Sequence, residues 1–176
     1  MISSWNDYVD YIRADDVANG FDQSRFSRFN MIRKYLHCLR KLEYISNCKS
    51  SAFLLNYYKC KLYRLSLKTG ITIGINCFGK GLYIPHHGYI VVNSSAHFGN
   101  DCVIQCGVNI SENVKGGNHI YLSSGAKLLS NISIADDTIV GANAVVTKSF
   151  DEPNIVIAGV PAIIISFDGF KNRKNI

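Results

Sequence analysis

The chain has 176 residues, of which 47% are hydrophobic, and its formal net charge is +6. This length suits one globular core with a helical extension and excludes a multidomain architecture. The first seventy residues carry twelve Lys or Arg against six Asp or Glu, whereas the remaining residues carry seven of each, so the excess positive charge belongs to the N-terminal segment.

Composition argues against several classes of function. The six cysteines form no CxxC pair and no Cys/His spacing typical of a metal site, and no signal peptide is recognisable. No apolar run approaches the roughly 20 residues that cross a bilayer, and no nucleic-acid recognition motif accompanies the basic residues. We therefore expect a cytoplasmic protein with reduced thiols, no bound metal and no nucleic-acid partner.

The N-terminal segment is predicted to be helical. A first helix is capped within Ser3–Ser4 and ends at Gly20, and a second runs from about Ser24 to Ile45. A third helix follows the serine pair at positions 50–51. It is apolar on more than one side, which predicts burial against a larger body.

The basic side chains of the second helix have the spacing of a solvated helix face: Arg28, Arg33, Lys34, Arg40 and Lys41. The alternative is attraction to an anionic partner, such as a phospholipid surface or a lipid-linked sugar phosphate. It predicts, at most, weak peripheral association with the inner face of a membrane.

Beyond Gly70 the sequence repeats every six residues, which is the period of a solenoid. Nine of the ten positions in the first series are bulky and apolar: Val92, Phe98, Ile104, Ile110, Gly116, Leu122, Leu128, Ile134, Val140 and Val146. A second series lies two residues earlier and is mostly small or β-branched, from Ala96 to Ala144. Short strands joined by sharp corners, with three strands in each coil of roughly eighteen residues, explain both series.

The segment GLYIPHHGYIVVN, at Gly81–Asn93, interrupts this pattern with two histidines. His86 lies six residues before Val92 and is therefore predicted to replace an apolar residue at a corner of the prism. Imidazole can take a proton from an alcohol near neutral pH. A solenoid without chemistry stays the alternative, because periodicity alone does not imply catalysis.

The chain resembles the hexapeptide-repeat acetyltransferases, in the serine acetyltransferase-like branch that includes polysaccharide O-acetyltransferases. The resemblance spans about Gly70 to Ile165 and rests on the segments IGINCFGKGLYIPHHGYIVVN, FGNDCVIQCGVNI, YLSSGAKLLSNISIADDTIVGANAVVTK and AGVPAIII. It implies a mainly β fold, a left-handed parallel β-helix preceded by helices. It also implies a homotrimer with acetyl-CoA in the groove between adjacent prisms.

The resemblance also implies site residues. His86 matches the family's general base, which removes the proton of an acceptor hydroxyl while backbone N–H groups stabilise the oxyanion. Ser124 and Ala142 match small turn residues that contact CoA, Lys148 is a candidate phosphate contact, and His87 is expected to line the acceptor site.

Departures from the family bear on the acceptor. The serine enzymes have an acidic residue directly before the base and a second histidine on an extra loop, whereas this chain has Pro85 at the first place and Asn113 near the second. An amino-acid acceptor needs fixed charges, so these departures favour a saccharide hydroxyl. Ser66 is nearest to the place of the acid that would orient His86.

We therefore expect residues 1–69 to form a helical segment, 70–165 the β-helix acyltransferase domain and 166–176 a tail. The expected function is acetyl-CoA-dependent O-acetylation of a surface polysaccharide or its precursor. Serine O-acetylation for cysteine biosynthesis is one alternative, and a trimeric scaffold or binding module is the other.

Overall fold

The computed structural model describes residues 1–23, 27–49 and 51–170, which form an α-helical segment followed by a β-solenoid of about five turns. Helix α1 spans Trp5–Ala18, α2 spans Met31–Cys48 and α3 spans Ala52–Thr69. Each helix begins after a residue whose side chain accepts hydrogen bonds from the first turn, as capping requires: Ser4, Asn30 and Ser51. Gly70 ends α3 in a left-handed conformation with φ 72°.

The second helix starts later than the sequence indicates. A short 3₁₀ turn at Ser27–Phe29 precedes α2, and the Asn30 side chain accepts from the backbone N–H groups of Ile32 and Arg33. The predicted start at Ser24 lies outside the described residues, as does Ser50. Apolar side chains keep their helical spacing through the 3₁₀ turn, so the sequence pattern does not show that the helix begins after Asn30.

The solenoid is built from short parallel strands on three faces. The strands are β1 (Ile71–Ile73), β2 (Ile90–Val92), β3 (His97–Phe98), β4 (Val103–Ile104), β5 (Asn109–Ile110), β6 (Lys115–Gly116), β7 (Tyr121–Leu122), β8 (Lys127–Leu128), β9 (Ser133–Ile134), β10 (Ile139–Val140), β11 (Val145–Val146), β12 (Val156–Gly159) and β13 (Ala162–Ser166). Face 1 stacks β1-β2-β5-β8-β11, face 2 stacks β3-β6-β9, and face 3 stacks β4-β7-β10-β12 with β13 added antiparallel. The chain passes through the faces in the order 1, 2, 3, and this confirms the predicted coil.

Both predicted series point into the prism. Nine members of the first series are buried, and the second series, from Ala96 to Ala144, is buried throughout. Gly116 is the exception for a steric reason: a Cβ there would lie 2.0 Å from Cδ1 of Phe98, which stacks one coil away. The ring of Phe98 fills the interior for both coils.

The helices and the solenoid share one hydrophobic core. Tyr35, Leu36 and Leu39 of α2 pack in the same cluster as Ile71 and Ile73 of the first strand. The Tyr35 hydroxyl also accepts a hydrogen bond from the N–H of Ile73 at 2.8 Å. The helical segment therefore closes the open end of the β-helix.

Two expectations about the helices are wrong. Arg40 is not on a solvated face but is 0% exposed, between Asp15 and Glu43. Helix α3 is largely exposed rather than buried, with Phe53 79% and Leu67 70% exposed. Helical periodicity identifies an apolar face but not the depth at which its residues lie.

Within the described residues, no helix combines the length and hydropathy needed to cross a bilayer.

Candidate functional site

The histidine pair lies in a local insertion of the first coil. Tyr83 pairs with Val103, and the Tyr89 carbonyl accepts from the N–H of Gly107 at 2.7 Å. The chain from Tyr83 to Tyr89 is therefore two residues longer than the chain from Val103 to Gly107 on which it stacks. The additional length forms the Pro85-His86-His87 turn.

This insertion corrects the predicted register of His86. The inward position next to Ile104 is taken by Ile84, which is 1% exposed, whereas His86 and His87 are both exposed. The six-residue count from Val92 missed the insertion, because it assumed coils of equal length. His86 is thus at a corner, as predicted, but outside the apolar column rather than in place of one of its members.

No described side chain forms a hydrogen bond with the His86 ring. The Ser66 hydroxyl donates instead to the carbonyl of Leu62 in its own helix, at 3.1 Å. A pairing of Ser66 with the base therefore stays a prediction that no contact supports. The position of the imidazole depends on the backbone of the turn.

The turns that join face 3 to face 1 form one edge of the prism, here called the His86 corner: Pro85–Gly88, Cys106–Gly107, Ser124–Gly125 and Ala142–Asn143. Adjacent turns are linked by backbone hydrogen bonds of 2.9 Å from Gly125 N–H to the Cys106 carbonyl and from Asn143 N–H to the Ser124 carbonyl. Ser124 and Ala142 are exposed. The fold thus brings three predicted site residues, His86, Ser124 and Ala142, to the same edge.

Lys148 is not at this edge. It follows β11 and lies at the corner between face 1 and face 2, where its exposed ammonium group lies 5.6 Å from the centre of the Phe150 ring. Within one chain, face 1 separates Lys148 from the His86 corner. Lys148 could share a groove with His86 only if the two residues came from adjacent chains.

Two other histidines have surroundings of a structural kind. His119 has a left-handed φ of 52° at a corner, with Nδ1 3.2 Å from Asp137 Oδ1 and Nε2 3.6 Å from Asp101 Oδ2. The Nδ1 of His97 lies 3.2 Å from the carbonyl oxygen of Asn76. No group of His, Cys, Asp or Glu within the described residues has the arrangement of a metal site.

One residue at the His86 corner was missed. Cys106 is half-buried there, and its Sγ lies 3.9 Å from the Oγ of Ser124. The sequence could have predicted this contact, because Cys106 and Ser124 are eighteen positions apart and residues at that spacing stack in adjacent coils. By contrast, burial raises the pKa of Cys102 to about 12, which leaves that thiol unreactive.

Comparisons with known proteins agree with this architecture. No protein-family profile matches the chain. A serine acetyltransferase of Mycobacterium tuberculosis is 36% identical over 95 residues, covering 49% of this chain and 41% of that protein. One from Staphylococcus aureus is 31% identical over 115 residues, covering 60% and 54%. Over the matched residues, the chain is similar in sequence to these serine acetyltransferases. It spans about half the length of the curated relatives it matches.

The structural similarity extends to the helices. A serine O-acetyltransferase from Brucella melitensis superposes with a TM-score of 0.75 at 24% identity, covering 93% of this chain and 71% of the other. A Neisseria gonorrhoeae serine acetyltransferase in complex with serine gives 0.74 at 21%, with the same coverage. A serine acetyltransferase in complex with CoA gives 0.69 at 24%, covering 92% and 71%. At these identities the structures show the fold: a hexapeptide-repeat β-helix with an N-terminal helical segment.

Proposed function

We propose that the chain is an acyltransferase that moves an acetyl group from acetyl-CoA to a hydroxyl, with His86 as the general base. The observation that carries this proposal is the exposed His86 turn, which shares one edge of the prism with Ser124 and Ala142. The two curated relatives described above are serine acetyltransferases, and they suggest the reaction class and the thioester substrate.

The exposed imidazole suits this chemistry. It takes the proton of the acceptor hydroxyl as the oxygen attacks the thioester carbonyl, and backbone N–H groups are the candidate donors to the oxyanion. When the C–S bond breaks, the imidazolium returns the proton to the departing sulfur. The products are an acetyl ester and CoA with a free thiol.

Replacing His86 tests the base. His86→Ala is expected to lower kcat by about 10²- to 10⁴-fold while CoA still binds. The matched control is His97→Ala, which removes an exposed histidine from face 2 and should leave kcat unchanged. Acetyl transfer is followed by the release of free CoA thiol, and CoA binding is followed by calorimetry. Unaltered kcat in the His86 variant would rule out this base.

The acceptor to test first is serine, because the curated relatives are named for it. This reverses the order expected from sequence, where a saccharide hydroxyl came first. The saccharide stays a second candidate on one observation: Pro85 occupies the place before the base where the serine enzymes have an acid, and no described carboxylate contacts the His86 ring.

Parallel assays separate the two acceptors. The protein is incubated with acetyl-CoA and either L-serine or a panel of neutral mono- and oligosaccharides. Rapid thiol release with serine alone supports the amino-acid acceptor, and release with saccharides alone supports the other. His87→Ala should raise the KM of the true acceptor more than that of acetyl-CoA. Absence of acetyl-CoA binding in calorimetry would favour the non-catalytic scaffold.

The basic helical surface supports a second proposal, which is peripheral contact with anionic lipids. Arg28 of the 3₁₀ turn, Lys34 and Lys41 of α2 and Lys61 of α3 line one groove. None of these four side chains forms an ion pair with a carboxylate of the described residues. Co-sedimentation with phosphatidylserine vesicles should be weak and should vanish as salt rises. Equal binding to neutral phosphatidylcholine vesicles, or binding that salt does not reduce, would contradict it.

A further inference from the structure

The extended segment Leu82–Ile84, which leads into the His86 turn, is held by the C-terminal end of α1 in place of a preceding coil. The Asn19 side chain donates from Nδ2 to the carbonyl of Leu82 at 2.8 Å and accepts at Oδ1 from the N–H of Ile84 at 3.0 Å. Asp15 Oδ1 accepts from the N–H of Leu82 at 2.9 Å. Two side chains thus supply the hydrogen bonds that a neighbouring strand supplies elsewhere in the solenoid.

The other end of the turn is also held by the helical segment. The N–H of Gly88 donates to the carbonyl of Thr69 at 2.9 Å, and the N–H of Ile90 donates to that of Gly70 at 3.0 Å. The backbones of Gly70 and Gly88 lie so close together that a Cβ on Gly70 would be 2.8 Å from the carbonyl oxygen of Gly88. Between Ile84 and Gly88, the turn residues have no backbone hydrogen bond to another described residue.

Asn19 is itself fixed by its position at the end of α1. It is the C-terminal cap, and its Nδ2 and backbone N–H both donate to the carbonyl of Asp15, at 2.8 and 3.1 Å. Asp15 is buried and paired with Arg40, whose guanidinium donates to the carbonyls of Phe78 and Gly79. The amide group of Asn19 therefore belongs to a rigid connection between the helices and the first coil.

We propose that Asn19 is a positioning residue that sets the place of the His86 imidazole by holding the segment Leu82–Ile84 before the turn. The proposal rests on the proposed function of His86. It follows from the two-residue insertion: a longer turn has more freedom than the other corners, and its position depends on where its two ends are fixed. A displacement of about 1 Å at a base can cost about 10²-fold in rate.

Asn19→Ala removes both Asn19 contacts, to the carbonyl of Leu82 and to the N–H of Ile84, and leaves the Asp15 contact to the N–H of Leu82 in place. The matched control is Asn47→Ala, because the Nδ2 of Asn47 likewise donates to a backbone carbonyl, that of Ile2 at 2.9 Å, but far from the turn. In Asn19→Ala, kcat should fall about 10- to 100-fold with unchanged calorimetric affinity for CoA. In Asn47→Ala, kcat should stay unchanged.

Two further readouts distinguish positioning from a general loss of stability. Hydrogen exchange in peptides that cover residues 82–90 should become faster in Asn19→Ala and not in Asn47→Ala. In a His86→Ala background, the Asn19 replacement should cause little additional loss of kcat, because a misplaced base and a missing base are equivalent. Asn19→Asp keeps the acceptor for Ile84 but places a carboxylate oxygen against the carbonyls of Leu82 and Asp15, so its kcat should be no higher than that of Asn19→Ala.

The outcomes separate this inference from the proposed function. Unchanged exchange over residues 82–90, or an equal fall of kcat with and without His86, overturns the positioning role. Full activity of His86→Ala overturns the base instead, and the exchange data then decide alone whether Asn19 holds the turn.

Discussion

Arg40 is the residue on which the joint between helices and solenoid depends most. Its guanidinium contacts Asp15 Oδ2 at 2.8 Å and Glu43 Oε2 at 3.0 Å, and it donates to the carbonyls of Phe78 and Gly79. Burial by itself lowers the pKa of Arg40, but the two carboxylates outweigh burial and raise it. The group is therefore charged whenever the protein is folded.

Removing one member of this network should be costly, since it leaves two buried carboxylates without their cation. We expect Arg40→Met to lower the free energy of unfolding by about 3–5 kcal/mol. Lys34→Met, an exposed position of the same helix, should change it by less than about 0.5 kcal/mol. Urea denaturation followed by circular dichroism measures both, and equal effects would contradict the buried role of Arg40.

The sequence placed Arg40 on the wet face for a physical reason. Helical spacing compares a residue only with others in its own helix, whereas the carbonyls that accept from Arg40 lie 38 and 39 positions further along the chain. The contact of Gly116, by contrast, could be predicted from the sequence. Its pairing with Phe98 follows directly from the eighteen-residue coil, so the one exception in the apolar series could be predicted to face a large ring.

Among the elements, α1 and α2 are joined by a partly buried ion pair that titrates. Burial raises the pKa of Asp16, but hydrogen bonds from Arg33 at 2.7 Å and His37 at 2.8 Å outweigh it, so the pKa lies below its usual value. The folded pKa is below the unfolded one. The pair's contribution to stability is therefore complete above the ordinary value of about 3.9 and is lost as pH falls through the folded pKa.

Asp16→Asn should isolate this contribution. At pH 6 the variant should melt roughly 2–4 °C below the wild type, as expected for a loss of about 1 kcal/mol, and the difference should shrink as pH approaches 3. The variant must be compared with the wild type at each pH, because Asp7 also titrates in this range in both proteins. Hydrogen bonds from Ser3 lower the pKa of Asp7. A difference in melting temperature that is constant from pH 6 to 3 would show that the carboxylate charge is not what joins the helices.

The solenoid elements were predictable and the turn at His86 was not. From Val92 onward the coils repeat so regularly that inward positions, corners and the alignment of Ser124 with Ala142 follow from counting. The first coil rests on helices rather than on another coil, so its length is set by contacts such as Asn19 with Ile84. Counting cannot reveal those contacts, and the two-residue insertion was missed.

At the scale of the whole molecule, the His86 corner offers only one wall of a groove. His86, Ser124 and Ala142 line an exposed edge, and Lys148 lies across face 1 from them in the same chain. If several chains assemble side by side, the Lys148 corner of one chain can face the His86 corner of the next. We therefore predict a homotrimer whose sites are shared between chains, with a light-scattering mass three times the 19.6 kDa of the chain.

Mixing two inactive variants tests this sharing. His86→Ala removes the base, and Lys148→Glu places a negative charge where the phosphates of CoA are expected. When the two chains are unfolded together and refolded as mixed trimers, about a quarter of the interfaces should pair an intact His86 with an intact Lys148 from the neighbouring chain. The total rate of thiol release should therefore recover to about a quarter of the wild-type rate, because each restored site works at full speed. Recovery no greater than the sum of the separately refolded variants would place each site within a single chain, and a monomeric mass would exclude shared sites altogether.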